Sequence, residues 1–299
     1  MSTAELQDPT SHLYIASELR ELLACPDCRH KLNESAVGLS CPGCQRDFPV
    51  AAGGTLPILL SRSSPLFSES YSTWRRVEKK GTRKKSYRES RFLPKTSVCR
   101  LSVEPWNRFM KLVGTGRLLN IGSGEKRVTT NLDRWVNLDI CPHNNVDVVG
   151  DAHQLPFVDE SFDAVASNNV FAALQKPFHV AAEITRVLKP NGLMWCNEAF
   201  ALPIARSPGD YFRYAPDGLK SVFDGLTPVE IAGCAGPFTI MARFAETAAD
   251  AMFPGKLGFA ARWCTAWTLQ PFKYLDDWLV KRNPDCASAF FLVAQKPGE

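Results

Sequence analysis

The sequence predicts an α/β fold: a doubly wound, mostly parallel sheet of seven strands, with a small N-terminal module and a helical insertion near the C-terminus. Three observations support this prediction. From Gly116 onward, apolar strand-like runs alternate with helical patterns, which is typical of a parallel sheet with helices on both faces. Two Cys-x-x-Cys pairs stand near the N-terminus, and residues 237–282 separate the last two predicted strands.

Composition and charge place the chain among globular proteins. It has 299 residues, of which 45% are hydrophobic and 22% charged. The start is polar, and no apolar run reaches the roughly 18 residues that a membrane span requires. We therefore expect a cytoplasmic protein. Ten cysteines in that compartment argue against a disulfide framework.

Four cysteines have the spacing of a metal site. Cys25 and Cys28 form one Cys-x-x-Cys pair, and Cys41 and Cys44 form the second, with twelve residues between the pairs. Two such knuckles supply four thiolates that can close a tetrahedron around zinc. A module this small buries too little surface to fold alone, so the metal would supply folding energy. We predict a structural zinc module over residues 1–62.

This module also resembles a known family. The segments 22–28, 44–50 and 54–60 are similar to the small zinc-ribbon family that is related to the activating subunit of tRNA and protein methyltransferases. A closed four-cysteine site leaves no open position for a substrate, so the predicted role of the zinc is structural.

Residues 63–112 are predicted to form a basic, aromatic connector. Between Arg75 and Arg91 there are nine Lys or Arg residues against two Glu residues. The aromatic content is too high for a free linker, so we expect partial packing as helix. The cations could follow the phosphates of a nucleic acid or simply face solvent.

A glycine turn after the first predicted strand of the sheet carries the most information. Gly122 and Gly124 directly follow the apolar run 118–121. Because glycine has no Cβ, such a turn brings the backbone close to a bound nucleotide. Asp139 ends the next strand, at roughly the 20-residue offset where an acid meets ribose hydroxyls. Asp151 ends the third strand.

The glycine turn followed by two acids at strand ends resembles the class I S-adenosylmethionine-dependent methyltransferases, and among them the type 11-like family. This resemblance covers about residues 113–200 and implies a methyltransferase domain over 113–299, with the helical insertion at about 237–282. The residues that it implies for cofactor binding are Asn120, Gly122, Ser123, Gly124, Asp139, Ile140, Asp151, Ala152 and Asn168. A nicotinamide-binding Rossmann fold is the alternative, but the third glycine of its Gly-x-Gly-x-x-Gly turn is missing.

The acceptor side is less determined by the sequence. Methyl transfer is an in-line displacement, and it needs a general base only for some acceptors. Glu198 follows the fifth strand. Asp210, Tyr211 and Arg213 lie in a run that resembles a motif of bacterial methyltransferases linked to glycan or lipid-linked sugar modification. These four residues are the candidate catalytic groups, although relatives carry an upstream histidine and a Glu-His pair that this chain lacks.

Three functions stay open at this point. The first is a methyltransferase with a small-molecule or glycan/lipid-linked acceptor, which an aromatic insertion could cover. The second is an RNA methyltransferase, acting on rRNA or tRNA, that uses the zinc ribbon and the basic connector. The third is a non-catalytic, methyltransferase-like scaffold. Peripheral contact with an anionic membrane is also compatible with the insertion and the connector.

Overall fold

The computed structural model describes residues 14–35, 38–51, 54–64, 100–124, 134–205, 209–253 and 255–298. The connector cations between Arg75 and Arg91 lie outside these residues. The N-terminal module opens with a single helical turn and continues with short strands. These elements are α1 (Ser17–Arg20), β1 (Asn33–Ser35), β2 (Gly38–Ser40), β3 (Asp47–Ala51) and β4 (Leu56–Leu59).

The predicted seven-stranded sheet is confirmed. Its strands are β5 (Leu118–Ile121), β6 (Trp135–Asp139), β7 (Val148–Gly150), β8 (Phe162–Asn168), β9 (Leu188–Ala199), β10 (Thr227–Ala235) and β11 (Ala289–Gln295). Their order is β7-β6-β5-β8-β9-β11-β10. β5 to β9 pair in parallel, and β11 pairs antiparallel with both β9 and β10. The central strands are buried on both faces, which explains their near-continuous apolar sequence.

The N-terminal module extends this sheet. Its last strand, β4, pairs in parallel with β7, with Ile58 opposite Val149 and Leu59 opposite Gly150. Within the described residues, the full sheet therefore has eleven strands, in the order β1-β2-β3-β4-β7-β6-β5-β8-β9-β11-β10. Leu23 and Phe157 form a further antiparallel bridge between the module and the domain. Hydrogen bonding and a shared core cluster join the two parts.

Helices cover the sheet and form the insertion. They are α2 (Val103–Val113), α3 (Pro177–Val187), α4 (Pro216–Val222), α5 (Pro237–Met252), α6 (Gly255–Leu269) and α7 (Lys273–Arg282). α3 begins with proline, which suits a first position that needs no N–H donor. Its buried residues Val180, Ile184 and Val187 recur at helical spacing, so one face packs on the sheet.

The insertion is fastened by one buried carboxylate. Asp276 in α7 accepts hydrogen bonds from the backbone N–H groups of Phe238 and Thr239, at 2.8 and 2.9 Å, and from the Thr239 hydroxyl at 2.6 Å. These donors belong to the first turn of α5, where backbone N–H groups lack partners within the helix. Asp276 therefore caps α5 and holds α7 against it. Among the described residues, no helix is both long and apolar enough to cross a bilayer.

The strand pairing decides at which edge of the sheet the insertion emerges. Ala235, at the end of β10, lies opposite Ala289, which in turn lies opposite Ala199 at the end of β9. β9 runs parallel to β8 and β5, so all these positions lie at the edge where the parallel strands end. The insertion α5–α7 thus rises from the same edge as the turn at Gly122.

Candidate functional site

The turn after β5 has the backbone conformation that glycine favours. Gly122 and Gly124 have φ values of +67° and +61°. A Cβ at Gly122 would lie 2.3 Å from Cγ2 of Val170, whereas a Cβ at Gly124 would meet no atom of the described residues within 4 Å. The N–H groups of Gly122 and Ser123 both donate to the carbonyl of Leu138, at 2.9 and 3.2 Å. The turn is therefore fixed to β6.

Asp139 is held directly beside this turn. Its Oδ2 accepts from the Gly124 N–H at 2.8 Å, and its Oδ1 accepts from the Cys141 N–H at 2.8 Å. A carboxylate can accept about four hydrogen bonds. The two backbone bonds therefore orient Asp139 and leave acceptor capacity for a ligand with neighbouring hydroxyl groups.

Asp151 is held by a residue that sequence analysis did not single out. Its carboxylate accepts from the Ser64 hydroxyl at 2.7 Å and from the His153 N–H at 2.9 Å, and it contacts His153 Nδ1 at 2.7 Å. Burial opposes ionisation, but these hydrogen bonds outweigh it and hold the pKa of Asp151 below its ordinary value. Asp151 is thus an ionised acceptor at the start of the 3-10 turn Ala152–Gln154.

Two of the predicted cofactor residues each use one side-chain polar group in a hydrogen bond within the protein. The Asn120 amide donates to Asn137 Oδ1 at 3.0 Å, and both residues are buried. The Asn168 side-chain oxygen accepts from the Trp195 indole at 3.1 Å. Ile140 is half-buried. Nothing in these contacts assigns the three side chains to a ligand.

The residues present fit S-adenosylmethionine. The Ser123 hydroxyl is buried and, within the described part of the chain, has no hydrogen-bond partner. A buried polar group without a partner is costly, and a ligand at the turn would satisfy it. The two oriented carboxylates suit the ribose hydroxyls and the adenine amino group of this cofactor. Among the described residues, the glycine turn leaves room for its polar end.

The four predicted metal ligands come together in the module. Their sulfur atoms all lie within 4.8 Å of one another. The Sγ atoms of Cys25 and Cys44 are 3.6 Å apart, and those of Cys28 and Cys41 are 3.2 Å apart. Tetrahedral zinc with Zn–S bonds of about 2.3 Å places its sulfurs about 3.8 Å apart. The cluster therefore fits one zinc ion.

Each knuckle ends in the same backbone turn. Arg29 and Gln45, which directly follow the second cysteine of each pair, have φ values of +64° and +55°. The Arg29 N–H donates to the Cys25 carbonyl, and the Gln45 N–H donates to the Cys41 carbonyl, at 2.8 and 2.9 Å. These matched turns bring both pairs of thiols to one point, as the spacing predicted.

A chain of hydrogen bonds links the first knuckle to Asp151. Asp27, between Cys25 and Cys28, accepts from the Ser61 hydroxyl at 2.7 Å and from the Arg62 N–H at 3.0 Å. Ser64, three residues after Ser61, reaches Asp151. The metal module therefore positions a residue that touches the candidate cofactor site.

Among the candidate catalytic residues, Glu198 is buried and faces a backbone loop. Its carboxylate accepts from the N–H groups of Val170, Phe171 and Ala172, at 2.7, 2.8 and 3.3 Å. The same loop accepts from the Tyr211 N–H through the Ala172 carbonyl at 2.7 Å. Glu198 thus supports a loop to which the backbone of Tyr211, a residue of the predicted motif, is hydrogen-bonded.

The other three candidate catalytic residues lie around this loop. Asp210 forms an ion pair with Arg213 and accepts from the Ala205 N–H at 2.8 Å. The pair lowers the pKa of Asp210, so its carboxylate is ionised. The Tyr211 side chain is half exposed, and its hydroxyl accepts from the Gln175 amide at 2.9 Å. Of these three side chains, that of Tyr211 is the most exposed.

Glu198 makes the stability of the fold depend on pH. Burial raises the pKa of Glu198 to about 7, although the N–H groups of Phe171 and Val170 oppose the shift. The unfolded chain ionises the same group at about 4.3. Its contribution to stability is therefore fully present below the unfolded pKa and is lost as the pH rises through about 7.

We expect Glu198→Gln to flatten this pH dependence, because the amide carries no titrating proton and still offers an acceptor oxygen. In the wild type, the free energy of unfolding should fall between pH values of about 5 and 7, by at most about 1.4 kcal/mol per unit from this group. Urea unfolding at several pH values measures the difference. The exposed Asp217→Asn serves as the control, and parallel curves for wild type and Glu198→Gln would contradict the prediction.

Comparison with protein families agrees with both parts of the fold. Residues 119–196 match the family described as a methyltransferase domain, and residues 17–53 match the family described as Trm112p-like protein. The first match contains the glycine turn, Asp139 and Asp151. The second contains all four cysteines. The chain therefore carries a methyltransferase domain preceded by a Trm112p-like module.

Individual relatives are more distant. An uncharacterised methyltransferase of Schizosaccharomyces pombe is 38% identical over 63 residues, which are 21% of this chain and 23% of that protein. The chain thus matches about a quarter of the length of this curated relative. Phosphoethanolamine N-methyltransferase 2 of Haemonchus contortus is 17% identical, covers 65% of this chain and 53% of that chain, and has a TM-score of 0.43. A complex of the Haloferax volcanii Trm112 methyltransferase activator with a methyltransferase matches at 21% identity, over 61% of this chain and 83% of that chain, with a TM-score of 0.39.

Proposed function

We propose that this chain is an S-adenosylmethionine-dependent methyltransferase that acts on an apolar small-molecule or lipid-linked acceptor. The methyl donor is supported by the family match and by the oriented carboxylates of Asp139 and Asp151. The acceptor class is supported by one observation. Exposed apolar side chains border the edge of the sheet at which the candidate cofactor site lies.

These side chains follow β9. Ile204 is 77% exposed, and Phe200 is 44% exposed. The others in this segment are Leu202, Tyr211 and Phe212. Large apolar side chains grouped on a surface are typical of a binding site for an apolar ligand or partner. Their position beside the carboxyl ends of the strands is where ligands bind in open α/β sheets.

The residues of the chain act in this proposal by orientation. When bound, the cofactor supplies a methyl group on a sulfonium, which needs no activation by the protein. Asp139 and Asp151 hold the donor, while Glu198 is a positioning residue that keeps the 170–172 loop in place. The apolar border aligns the acceptor and excludes water, so proximity and desolvation carry the rate enhancement. Tyr211 is the candidate base if the acceptor is a hydroxyl or a protonated amine.

An RNA or protein acceptor is the second candidate. The match of residues 17–53 to the Trm112p-like family favours it, and so does the basic run from Arg75 to Arg91. Against it, Arg213 at the acceptor edge is paired with Asp210. The zinc module, moreover, pairs with the domain through β7, which is separated from β9 by the three strands β6, β5 and β8.

Labelled S-adenosylmethionine incubated with separate lipid, glycan, small-molecule, RNA and protein fractions tests the acceptor. We expect label in a lipid or small-molecule fraction. Ile204→Ser should lower kcat/KM about tenfold for that acceptor without changing the affinity for the cofactor, because burying one large apolar side chain contributes about 1.5–3 kcal/mol. Val103→Ser on α2, another exposed apolar residue, is the matched control.

Each alternative has a distinct result in this experiment. Label confined to RNA or protein would favour the second candidate. Normal cofactor binding without label in any fraction would favour the scaffold.

A further inference from the structure

We propose that helices α6 and α7 dock this protein on the surface of an anionic lipid bilayer. The inference deepens the proposed function, since it places an apolar or lipid-linked acceptor near the site. Its test nevertheless measures only the binding of the protein to lipid vesicles. The docking surface is defined here as the exposed side chains Leu257, Trp263, Trp267, Tyr274, Leu275, Trp278, Lys281 and Arg282.

Helix α6 has a polar or small buried face and an apolar exposed face. Arg262 and Ala266 are buried, whereas Leu257, Trp263 and Trp267 are 63%, 40% and 50% exposed. This distribution is the reverse of an ordinary surface helix, which buries its large apolar side chains. The exposed face of α6 therefore has the composition of a surface that is covered in use.

Helix α7 adds aromatic residues with cations beside them. Lys273 lies over the Tyr274 ring at 5.4 Å, and Arg282 lies over the Trp278 ring at 5.5 Å. Tyr and Trp combine an apolar ring with a polar atom, and they concentrate at the interface between membrane and water. Long cationic side chains beside them can reach lipid phosphates while their stems stay in the apolar layer.

Charge decides which occupant fits this surface. Three carboxylates of the insertion are engaged internally: Glu246 pairs with Arg243 at 3.2 Å, Asp250 pairs with Arg262 at 3.0 Å, and Asp276 caps α5. Asp277 is half-buried and also has an interaction partner. Next to the exposed cations Lys281 and Arg282 stands one exposed carboxylate, Asp285, so the end of α7 carries a net positive charge. An anionic bilayer complements them, whereas a second copy of this chain would bring like charges together.

The position of the docking surface in the molecule also agrees with an anionic bilayer as its partner. Helices α5–α7 rise from the end of the sheet at which the parallel strands end, as does the turn at Gly122. The exposed residues Phe200 and Ile204 lie in the segment that leaves the same edge. A bilayer beneath α6 and α7 would therefore lie on the side of the molecule where the acceptor enters.

Cosedimentation of the full chain with lipid vesicles tests the proposal. The vesicles are made of phosphatidylcholine mixed with phosphatidylglycerol, or of phosphatidylcholine alone, and no cofactor is added. We expect clear binding to the mixed vesicles and much weaker binding to phosphatidylcholine. Leu257→Gln and Trp267→Gln should each lower the partition coefficient about tenfold, and Lys281→Gln should lower it about fivefold.

Matched controls lie on α2, away from this edge. Leu112 is 67% exposed, close to the value for Leu257, and Lys111 is an exposed lysine. Leu112→Gln and Lys111→Gln should leave vesicle binding unchanged, and circular dichroism shows whether each variant is folded. The proposal is overturned if the wild type does not bind the mixed vesicles, or if the controls lose as much binding as the α6 variants. A dimer in solution that Trp267→Gln converts to a monomer would also overturn it. Failure of the methyl-transfer assay would leave these results unaffected, so the two proposals fail separately.

Discussion

Loss of zinc should unfold the N-terminal module and weaken cofactor binding in the same chain. Cys41→Ser removes one of four thiolates, and structural zinc contributes about 10–16 kcal/mol of apparent binding free energy in small zinc modules. Because β4 pairs with β7 and Ser64 donates to Asp151, disorder in the module removes support from the cofactor site. Elemental analysis should show about one zinc per wild-type chain. Calorimetry should show a cofactor Kd at least about fivefold higher in Cys41→Ser.

Two further variants separate the effect of the metal from that of the hydrogen bond. Ser64→Ala keeps the four cysteines and should raise the cofactor Kd while leaving the zinc content unchanged. Cys264→Ser changes an exposed free thiol on α6 and should alter neither quantity. Zinc-free wild-type protein that binds the cofactor with unchanged affinity would show that the module and the site are independent.

Asp139→Ala should weaken binding of S-adenosylmethionine by about 1.5–3 kcal/mol, which corresponds to roughly a tenfold to hundredfold or greater rise in Kd. The carboxylate is oriented by the N–H groups of Gly124 and Cys141, and charge-assisted bonds to ligand hydroxyls would be lost with it. Calorimetry with S-adenosylmethionine and its demethylated product measures the change, and nicotinamide cofactors should not bind.

Asp139→Asn and Asp217→Ala are the companions of this variant. The amide keeps an acceptor oxygen but loses the charge, so its affinity should lie between those of the wild type and Asp139→Ala. Asp217 is 94% exposed, and its removal should have no effect. A folded Asp139→Ala protein with wild-type affinity would mean that the ribose is held elsewhere.

Local patterns were sufficient for the elements of the fold and for the metal cluster. The period of apolar residues distinguishes β5 from α3, and β5 lies where the sequence predicted a strand. Cysteine spacing brings Cys25 and Cys28 to one turn through the covalent chain alone. The Gly122 turn is visible for the same reason, since a strand followed by glycine is a feature of adjacent residues.

The contents of the candidate site depend on residues far apart in the chain. Ser64 is 87 positions from Asp151, and no local pattern indicates that the two meet. Glu198 was predicted as a candidate catalytic group that follows the fifth strand, but in the structure it lies within β9. Its contacts lie with loop residues 26–28 positions earlier in the chain. Whether a carboxylate faces solvent or a backbone loop depends on such packing.

By itself, the sequence determined the strand and helix types, the four metal ligands and the glycine turn, because these arise from neighbouring residues and regular periods. Only the tertiary structure decided that β4 extends the sheet beside β7, and that the insertion rises from the edge containing Gly122. Strand order and burial result from long-range pairing and from the competition of many apolar surfaces for one core. The one-dimensional pattern does not specify the outcome of that competition.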